Sequence, residues 1–339
     1  MEKVLVTGAG GYIGSTLVPM LIKKGFFVRA IDRFFFGIEL LSENENLELV
    51  KEDSRHINEA HFEDIDYVID LVAISNDPSG ELFQQATWQI NHESRVRTAK
   101  LAKSLGVKKY ILPSSCSIYG FQESGVICGE DDSINPLTTY AQANRSAEEG
   151  VLPLSDDNFS VIVLRQATVY GYSSRMRFDL AVNGMTYGAW KSRVLPLMRD
   201  GKQWRPMLHV KDAARAQIFM LQYEDKNKIS GQIFNVGSDA NSFQIGDLAE
   251  LVCKTLPFEV KIEWYGDPDH RSYRVKFEKI ESLGWKAKYG VEEATLEIYS
   301  KLEDGSLERS DRTITLDWYK NLKKWKQIID ETEMYGGLL

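Results

Sequence analysis

Cysteine is scarce in this 339-residue chain: Cys116, Cys128 and Cys253 are the three present. A set so small, odd and widely spaced builds neither a disulfide framework nor a metal cluster, and it fits a reducing compartment. Long apolar runs are missing too. None approaches the ~20 residues needed to span a bilayer. The chain opens at once on a strand-like run, without a signal peptide's charged start and cleavage site. The expectation is a cytoplasmic protein that stays out of membranes. Positive charge is in deficit: 41 Lys and Arg stand against 49 Asp and Glu, a net charge of −8. Such a surface repels polyanions and argues against nucleic acid as a partner, while leaving room for a local basic pocket. The 5 histidines, among them His56, His61, His92 and His270, show no ligand spacing, so no metal is expected. Internal repeats and low-complexity tracts are absent as well.

What is present is an ordinary globular balance, 43% hydrophobic and 27% charged, long enough for a sizeable core. The N-terminal stretch "KVLVTGAGGYIGSTLVPMLIKKG" says most. A β-branched run, Val4 to Val6, leads into glycines and then a helical pattern with Ile13, Leu17, Met20 and Leu21 on one face. Gly8 suits a tight strand-to-helix turn, Gly11 lets backbone approach a pyrophosphate, and Gly14 allows the helix to pack close to the strand. The phosphates would then sit at a helix N-terminus, where free N–H groups and the macrodipole favour anions. A second strand, "FFVRAID", ends at Asp32, placed to take ribose hydroxyls. Asp32 repels a 2′-phosphate, so NAD is expected ahead of NADP, although neighbouring Arg33 offers that phosphate a partner.

Strand-like runs recur at 47–50, 67–73, 109–115 and 160–165, with helix-like stretches between them at 87–106 and around Tyr140. That alternation predicts an α/β fold, a Rossmann-type doubly wound parallel sheet. Ligands on such sheets bind beyond the carboxyl ends of the strands. Residues 1–170 form the expected NAD-binding domain, and 171–302 a smaller C-terminal substrate-binding region, partly interleaved with it. The stretch 303–339 reads as a charged, aromatic helical tail, packed on the surface or held for a partner.

The markers Gly8-x-x-Gly11-x-x-Gly14, Asp32, "EDS" at 52–54, "SSCSIYG" at 114–120, Tyr140, "LRQATVYG" at 164–171, "WRPMLHVKDAARA" at 204–216 and "FNVGS" at 234–238 together resemble the extended short-chain dehydrogenase/reductase family. The likeness is to its nucleotide-sugar epimerases, dehydratases and reductases. It implies that Tyr12 and Ile13 flank the pyrophosphate and that Asp53, with Ser54, meets the adenine. Leu71, Val72 and Ala73 would line the adenosine side, with Asn91 near the cofactor. Ser115 would bond the substrate hydroxyl and Tyr140 would be the acid/base. Thr168 falls among the substrate contacts, and Asn183, Arg205 and Arg271 fall where the family grips the sugar's nucleotide diphosphate. Two guanidiniums suit phosphate oxygens there. "SNDPSG" (75–80) reads as a turn whose Asn76 touches substrate or merely shapes the turn. His209 reads as structural rather than as a base. The stretch "LRQATVYGYSSRMRFDLAVN" with "DPDHRSYRV" resembles bacterial enzymes of surface-polysaccharide pathways that act on nucleotide-linked hexoses and heptoses. By analogy the helices at 87–106 and 140–150 would form a homodimer contact.

One family residue is missing. In "TTYAQANRSAEEG" (138–150) Asn144 stands where the family carries a lysine, one turn after the tyrosine and on the same helix face. That lysine lowers the tyrosine pKa and holds the nicotinamide ribose. Asn144 retains a ribose contact but no charge. Moving a phenol from about 10 to near 7 requires about 4 kcal/mol of preference for the anion. Arg145, pointing about 100° away, does not substitute. Four readings stay open: other groups assist Tyr140; Tyr140 serves only as an acid, for ketosugar reduction; the chain is an impaired binder of NAD or nucleotide sugar, a sensor or structural partner; or the asparagine is an introduced change. The residues after Ser115 bear on reaction type. 4,6-Dehydratases of the family carry an aspartic acid and a glutamate there, whereas this chain has Cys116 and Ser117, which ranks dehydration low. Cys116 is either a thiol acid/base or a small packed residue. The expected function is NAD-dependent oxidation or reduction at C4 of a nucleoside-diphosphate-linked hexose or heptose, alone or within an epimerase cycle.

Overall fold

Alternating apolar side chains let one strand feed two cores. In β1 (Lys3–Thr7), Val4 and Val6 face one side of the sheet and Leu5 the other. The same alternation runs through β2 (Phe27–Asp32), β3 (Leu47–Lys51), β4 (Tyr67–Asp70), β5 (Lys109–Ser115), β6 (Ser160–Gln166) and β7 (Gln232–Val236). In the computed structural model, which describes residues 1–123, 125–267 and 272–333, these seven form one sheet in the order β7-β6-β5-β4-β1-β2-β3. Every neighbouring pair is parallel.

Helices close both faces. On one side α1 (Gly14–Lys23) packs Leu17 and Leu21 against Val4, Val6 and Ile162. On the other, α4 (Arg95–Ser104) and α5 (Thr139–Val151) pack Ala99, Ala102, Ala147 and Val151 against Leu5, Val68, Leu112 and Val161. Each leucine, isoleucine or valine side chain so taken from water stabilises the fold by roughly 1.5–3 kcal/mol before chain entropy is counted. Between β4 and α4 lie α2 (Asp77–Leu82), α3 (Gln84–Trp88) and a π-helical turn, Gln89–Ser94. The stretch read as one helix over 87–106 is therefore interrupted, and the run read as a strand to 73 ends at Asp70.

Elements on the two sides of residue 170 interleave. The sheet takes its last strand, β7, from beyond that point, and α7 (Val210–Gln222) covers the α1 face with Ala213 and Leu221. The rest of the region after residue 170 includes α6 (Ala181–Ser192) and short strands. Thr168–Tyr170, Trp204–His209 and Ser242–Gln244 make one small sheet, and Val194–Met198 pairs with Lys261–Tyr265 in another. The tail is a helix, Thr315–Thr332, whose first turns are docked. Among the described residues no helix is long and apolar enough to cross a membrane.

Candidate active site

The turn after β1 is set by sterics. Gly8 has φ of +66°, and a Cβ there would lie 2.7 Å from Val72 N; a Cβ on Gly14 would lie 2.4 Å from Ala9 O. The chain is thus pressed onto the exit of β4 and α1 is seated on the turn. Helix α1 has no acidic residue in its first turn. Among the described residues the amides of Tyr12 and Ile13 meet no protein acceptor. A free helix N-terminus of this kind fits a pyrophosphate. Asp32 accepts from Gly10 N (3.0 Å) and Phe34 N (2.7 Å), and burial raises its pKa. Leu71, Val72 and Ala73 are half-buried along the same wall.

Helix α5 begins where Thr138 caps it, accepting from Ala141 N at 3.2 Å. Helix α2 reinforces that start: Thr138 Oγ1 donates to Asp77 (2.7 Å), and Thr139 N donates to Glu81 (2.7 Å). Tyr140 therefore sits in the first turn of α5, half-buried, with Ser115 at the carboxyl end of β5 as its side-chain hydrogen-bond partner. Burial pushes the phenol above its ordinary pKa, and the Arg95 guanidinium pulls it back most strongly, followed by the Ser115 hydroxyl. Asn144 is 1% exposed; its Nδ2 donates to Tyr140 O (2.9 Å) and its Oδ1 accepts from Arg95 Nη1 (2.8 Å). Both ends of the amide are engaged inside the protein, which corrects its expected place as a ribose contact. Arg145 pairs with Glu149 (2.9 Å), away from the phenol.

Several expected contacts turn out to position the site instead. Cys116 is fully buried, donates to Arg165 O (3.2 Å) and is raised well above the ordinary thiol range by burial, so it is no acid/base. Asn91 pairs with Ile74 N (2.8 Å) and O (3.0 Å), fixing the 71–74 wall rather than meeting cofactor. Asn183 is fully buried and bonds Gly171 N, Tyr12 Oη and Arg177 O, so no donor is left for a phosphate. Tyr12 turns its ring inward to the same cluster, leaving its backbone to the turn. Asn76 caps α2 through Ser79 N (2.8 Å) and reaches Asp179 (3.0 Å) rather than substrate. Ser54 is buried against Ser94, 3.2 Å away. Asp53 is clasped by Arg55 through both oxygens (3.0 and 2.7 Å), which lowers its carboxyl to about 2, and by Arg33 at 3.2 Å. An adenine would meet an ion pair there, not a free carboxylate. His209 caps α7 through Lys211 N (3.1 Å), with burial lowering it to about 3. Arg271 lies outside the described residues.

A pocket of about 40 Å³ is lined by Ser117, Thr138, Asp77, Arg205 and Tyr273, with Thr138 the cap of the helix that carries Tyr140. The Ser117 hydroxyl is buried, with no hydrogen-bond partner among the described residues. Arg205 stacks its guanidinium 5.3 Å from the Tyr273 ring, and Thr168 hydrogen-bonds Tyr273. Among the described residues no group of three or more His, Cys, Asp or Glu is placed to hold a metal ion.

Three features went unread in the sequence. Arg95, 2% exposed, lies against α5. Arg175, 3% exposed beside the glycine turn, has Nε and Nη1 without acceptors among the described residues. Tyr319 of the tail stands among Phe35, Phe36 and Phe83 at 6.0–6.2 Å. Its hydroxyl feels the charges of Arg175, Arg177, Asp32 and Asp179. The orphaned Arg175 donors, the open α1 amides and the tight Gly8 turn together fit a dinucleotide.

The model of the NAD dependent epimerase/dehydratase family matches residues 4–237. UDP-glucose 4-epimerase 1 of Oryza sativa subsp. japonica is 25% identical, the match covering 88% of this chain and 94% of that protein. UDP-glucuronic acid decarboxylase 4 of Arabidopsis thaliana is 25% identical, over 85% of this chain and 66% of its own length. A UDP-glucuronic acid 4-epimerase from Bacillus cereus, solved in complex with UDP-glucuronic acid and NAD, superposes with a TM-score of 0.80 at 23% identity, covering 89% of this chain and 99% of that one. At that identity the structural likeness speaks for the fold.

Proposed function

We propose, from the premise that the chain belongs to the NAD dependent epimerase/dehydratase family, that it is an oxidoreductase or epimerase acting at C4 of a nucleoside-diphosphate-linked hexose or heptose. NAD is the cofactor, and when bound it supplies the acceptor, and afterwards the donor, of a hydride at the substrate carbon. The observation that carries this reading is the pairing of Ser115 with Tyr140 at the carboxyl edge of the sheet, next to the pocket that holds Ser117 and Arg205. In this reading the Tyr140 phenolate takes the proton of the substrate hydroxyl and later returns it, while Ser115 holds that oxygen in line. Ser117, with its unpartnered hydroxyl, turns to a second sugar hydroxyl. Arg205 forks to the diphosphate. Dehydration has less support, since Cys116 is sealed in the core and Ser117 is no carboxyl acid. A homodimer through α4 and α5 belongs to the same reading, and light scattering checks it.

The test uses UDP-glucose and UDP-glucuronic acid, with product sugars separated and NADH absorbance followed. Tyr140→Phe is expected to lower turnover by about 100-fold or more while NAD binding is unchanged. Mass spectrometry of small molecules retained by the purified protein identifies the sugar. Wild-type protein that holds NAD yet turns over no nucleotide sugar at any pH would move the chain to the binder reading.

A further inference from the structure

A buried cation without an anion requires an explanation. The Arg95 side chain bonds two neutral groups: Nε donates to Val72 O (2.9 Å) and Nη1 to Asn144 Oδ1 (2.8 Å). Among the described residues no carboxylate pairs with it. Asp70, the next anion along the network, is met instead by the hydroxyls of Tyr110 and Thr7, at 2.5 Å each. Two other buried arginines are matched: Arg165 lies 2.8 Å from Glu148, and Arg177 lies 2.8 Å from Asp179. An unmatched buried charge is unfavourable unless it meets negative charge at some stage of the protein's work.

The position of Arg95 indicates what that charge is. It opens α4 directly after the π-helical turn and reaches across to α5. The amide it grips, Asn144, lies one turn after Tyr140 and is itself tied to Tyr140 O. The guanidinium is thus fixed to the helix that carries the phenol. Around Tyr140 the charged groups are Arg95 from α4, Asp77 from α2 and Arg177 from the 171–180 segment, with Ser115 from β5 as hydrogen-bond partner. Asp77 opposes ionisation, and the charge of Arg177 is already answered by Asp179. Arg95 is the cation left over.

We propose that Arg95 is a positioning residue for Tyr140: held in place by Asn144, its guanidinium supplies the positive charge that steadies the phenolate when a substrate hydroxyl gives up its proton. The proton passes from the substrate oxygen to the phenolate oxygen, and Arg95 keeps its own. This rests on the proposed function, in which the phenolate is the base. Asn144 is then a coupling piece: its oxygen accepts from the cation and its nitrogen fixes the turn that bears Tyr140. Of the readings left open by the sequence, this is the working enzyme with another group assisting. The counteracting pull of Arg95 on a phenol that burial raises agrees with it.

The test reads phenol ionisation directly. Ultraviolet difference titration of the full chain, with Tyr140→Phe subtracted to isolate one phenol, is run with and without NAD. The variants are Arg95→Met, Arg95→Lys, and the transposed pair Arg95→Thr with Asn144→Lys. The expected result is a midpoint higher by about one pH unit or more, tenfold in proton affinity, in Arg95→Met. Arg95→Lys and the transposed pair are expected to stay near wild type. The pH profile of turnover with UDP-glucose or UDP-glucuronic acid shifts in the same order. An Arg95→Met midpoint equal to wild type overturns the proposal at any level of activity, because a merely structural arginine could lower turnover but would not move the phenol. Should Arg95→Met fail to fold, the transposed pair decides, and a lysine on α5 that does not restore the wild-type midpoint also overturns it. Failure of the functional reading looks different: the midpoints separate as expected while no nucleotide sugar is converted.

Discussion

Arg175 is the residue whose role in the free protein and with cofactor should diverge most. Burial lowers its pKa to about 9, with the Arg177 charge adding to that, and two of its donor groups have no acceptor among the described residues. At about 1.4 kcal/mol per pKa unit the charge is unfavourable by a few kcal/mol. The Phe36 ring, 3.7 Å away, and a 2.9 Å bond to Thr315 offset part of this. Arg175→Met is therefore expected to leave the cofactor-free protein as stable as wild type, or up to about 2 kcal/mol more stable in urea. The same change should raise the Kd for NAD about tenfold or more, since the lost donors flank the pyrophosphate turn. Urea denaturation and calorimetry read the two effects separately, and a destabilised free protein with unchanged NAD affinity would remove Arg175 from the cofactor site. The contrast with the glycines shows what was legible. Gly8, Gly11, Gly14 and Asp32 fall within one strand-helix-strand unit, so the tight turn and its neighbouring strand end are legible from spacing alone. Arg95 has its meaning only beside Asn144, 49 positions on, and Arg175 only beside Thr315, 140 positions on. Asn183 misled for the same reason, because its partner Tyr12 is 171 residues away.

Helix α5 shows how an element aims a side chain. Its first turn is fixed by Thr138, which both caps the helix and ties it to Asp77 of α2. The plain-turn reading of "SNDPSG" was therefore short of the truth, since the segment folds into a small helix that buttresses Tyr140, with Gly80 giving room: a Cβ there would lie 3.2 Å from Tyr140 Cβ. Thr138→Ala is expected to cost about 1 kcal/mol of stability, the usual value of a cap. Because that turn carries the phenol, kcat should fall more than KM rises; equal loss in both would mean that the cap serves folding alone. The 87–106 stretch was harder to read. A π-helical turn adds one residue to the helical repeat and so rotates everything after it. Apolar periodicity does not betray the slip, because the side chains buried across it are Asn91, Ser94 and Arg95, polar residues that pattern reading assigns to solvent.

At the scale of the whole molecule, the tail ties together parts of the crevice that the sequence order separates. Trp318 Nε1 donates to Phe35 O (2.8 Å), Arg312 reaches Glu39 (3.1 Å), and Thr313 O accepts from Phe178 N (2.9 Å). The tail thus touches the loop after β2, which follows Asp32, and the 173–179 segment, which carries Arg175. Tyr319 completes the contact by packing on Phe83, next to α2. Of the two readings left open for this stretch, surface packing holds for the first turns. The later turns stand out from the body, with Trp325 43% and Ile328 44% exposed. A helix held through so few buried side chains should open as a local unit, independent of the sheet. Removing the main anchor tests this. Trp318→Ala forfeits about 3 kcal/mol of local packing, enough to release residues 315–332 while β1–β7 remain folded. The expected outcome is faster amide exchange confined to the tail, a global urea midpoint close to wild type, and an NAD Kd raised several-fold because Tyr319 and the Phe36 side of the crevice lose their cover. Unchanged exchange together with unchanged NAD affinity would show that the crevice keeps its shape without the tail.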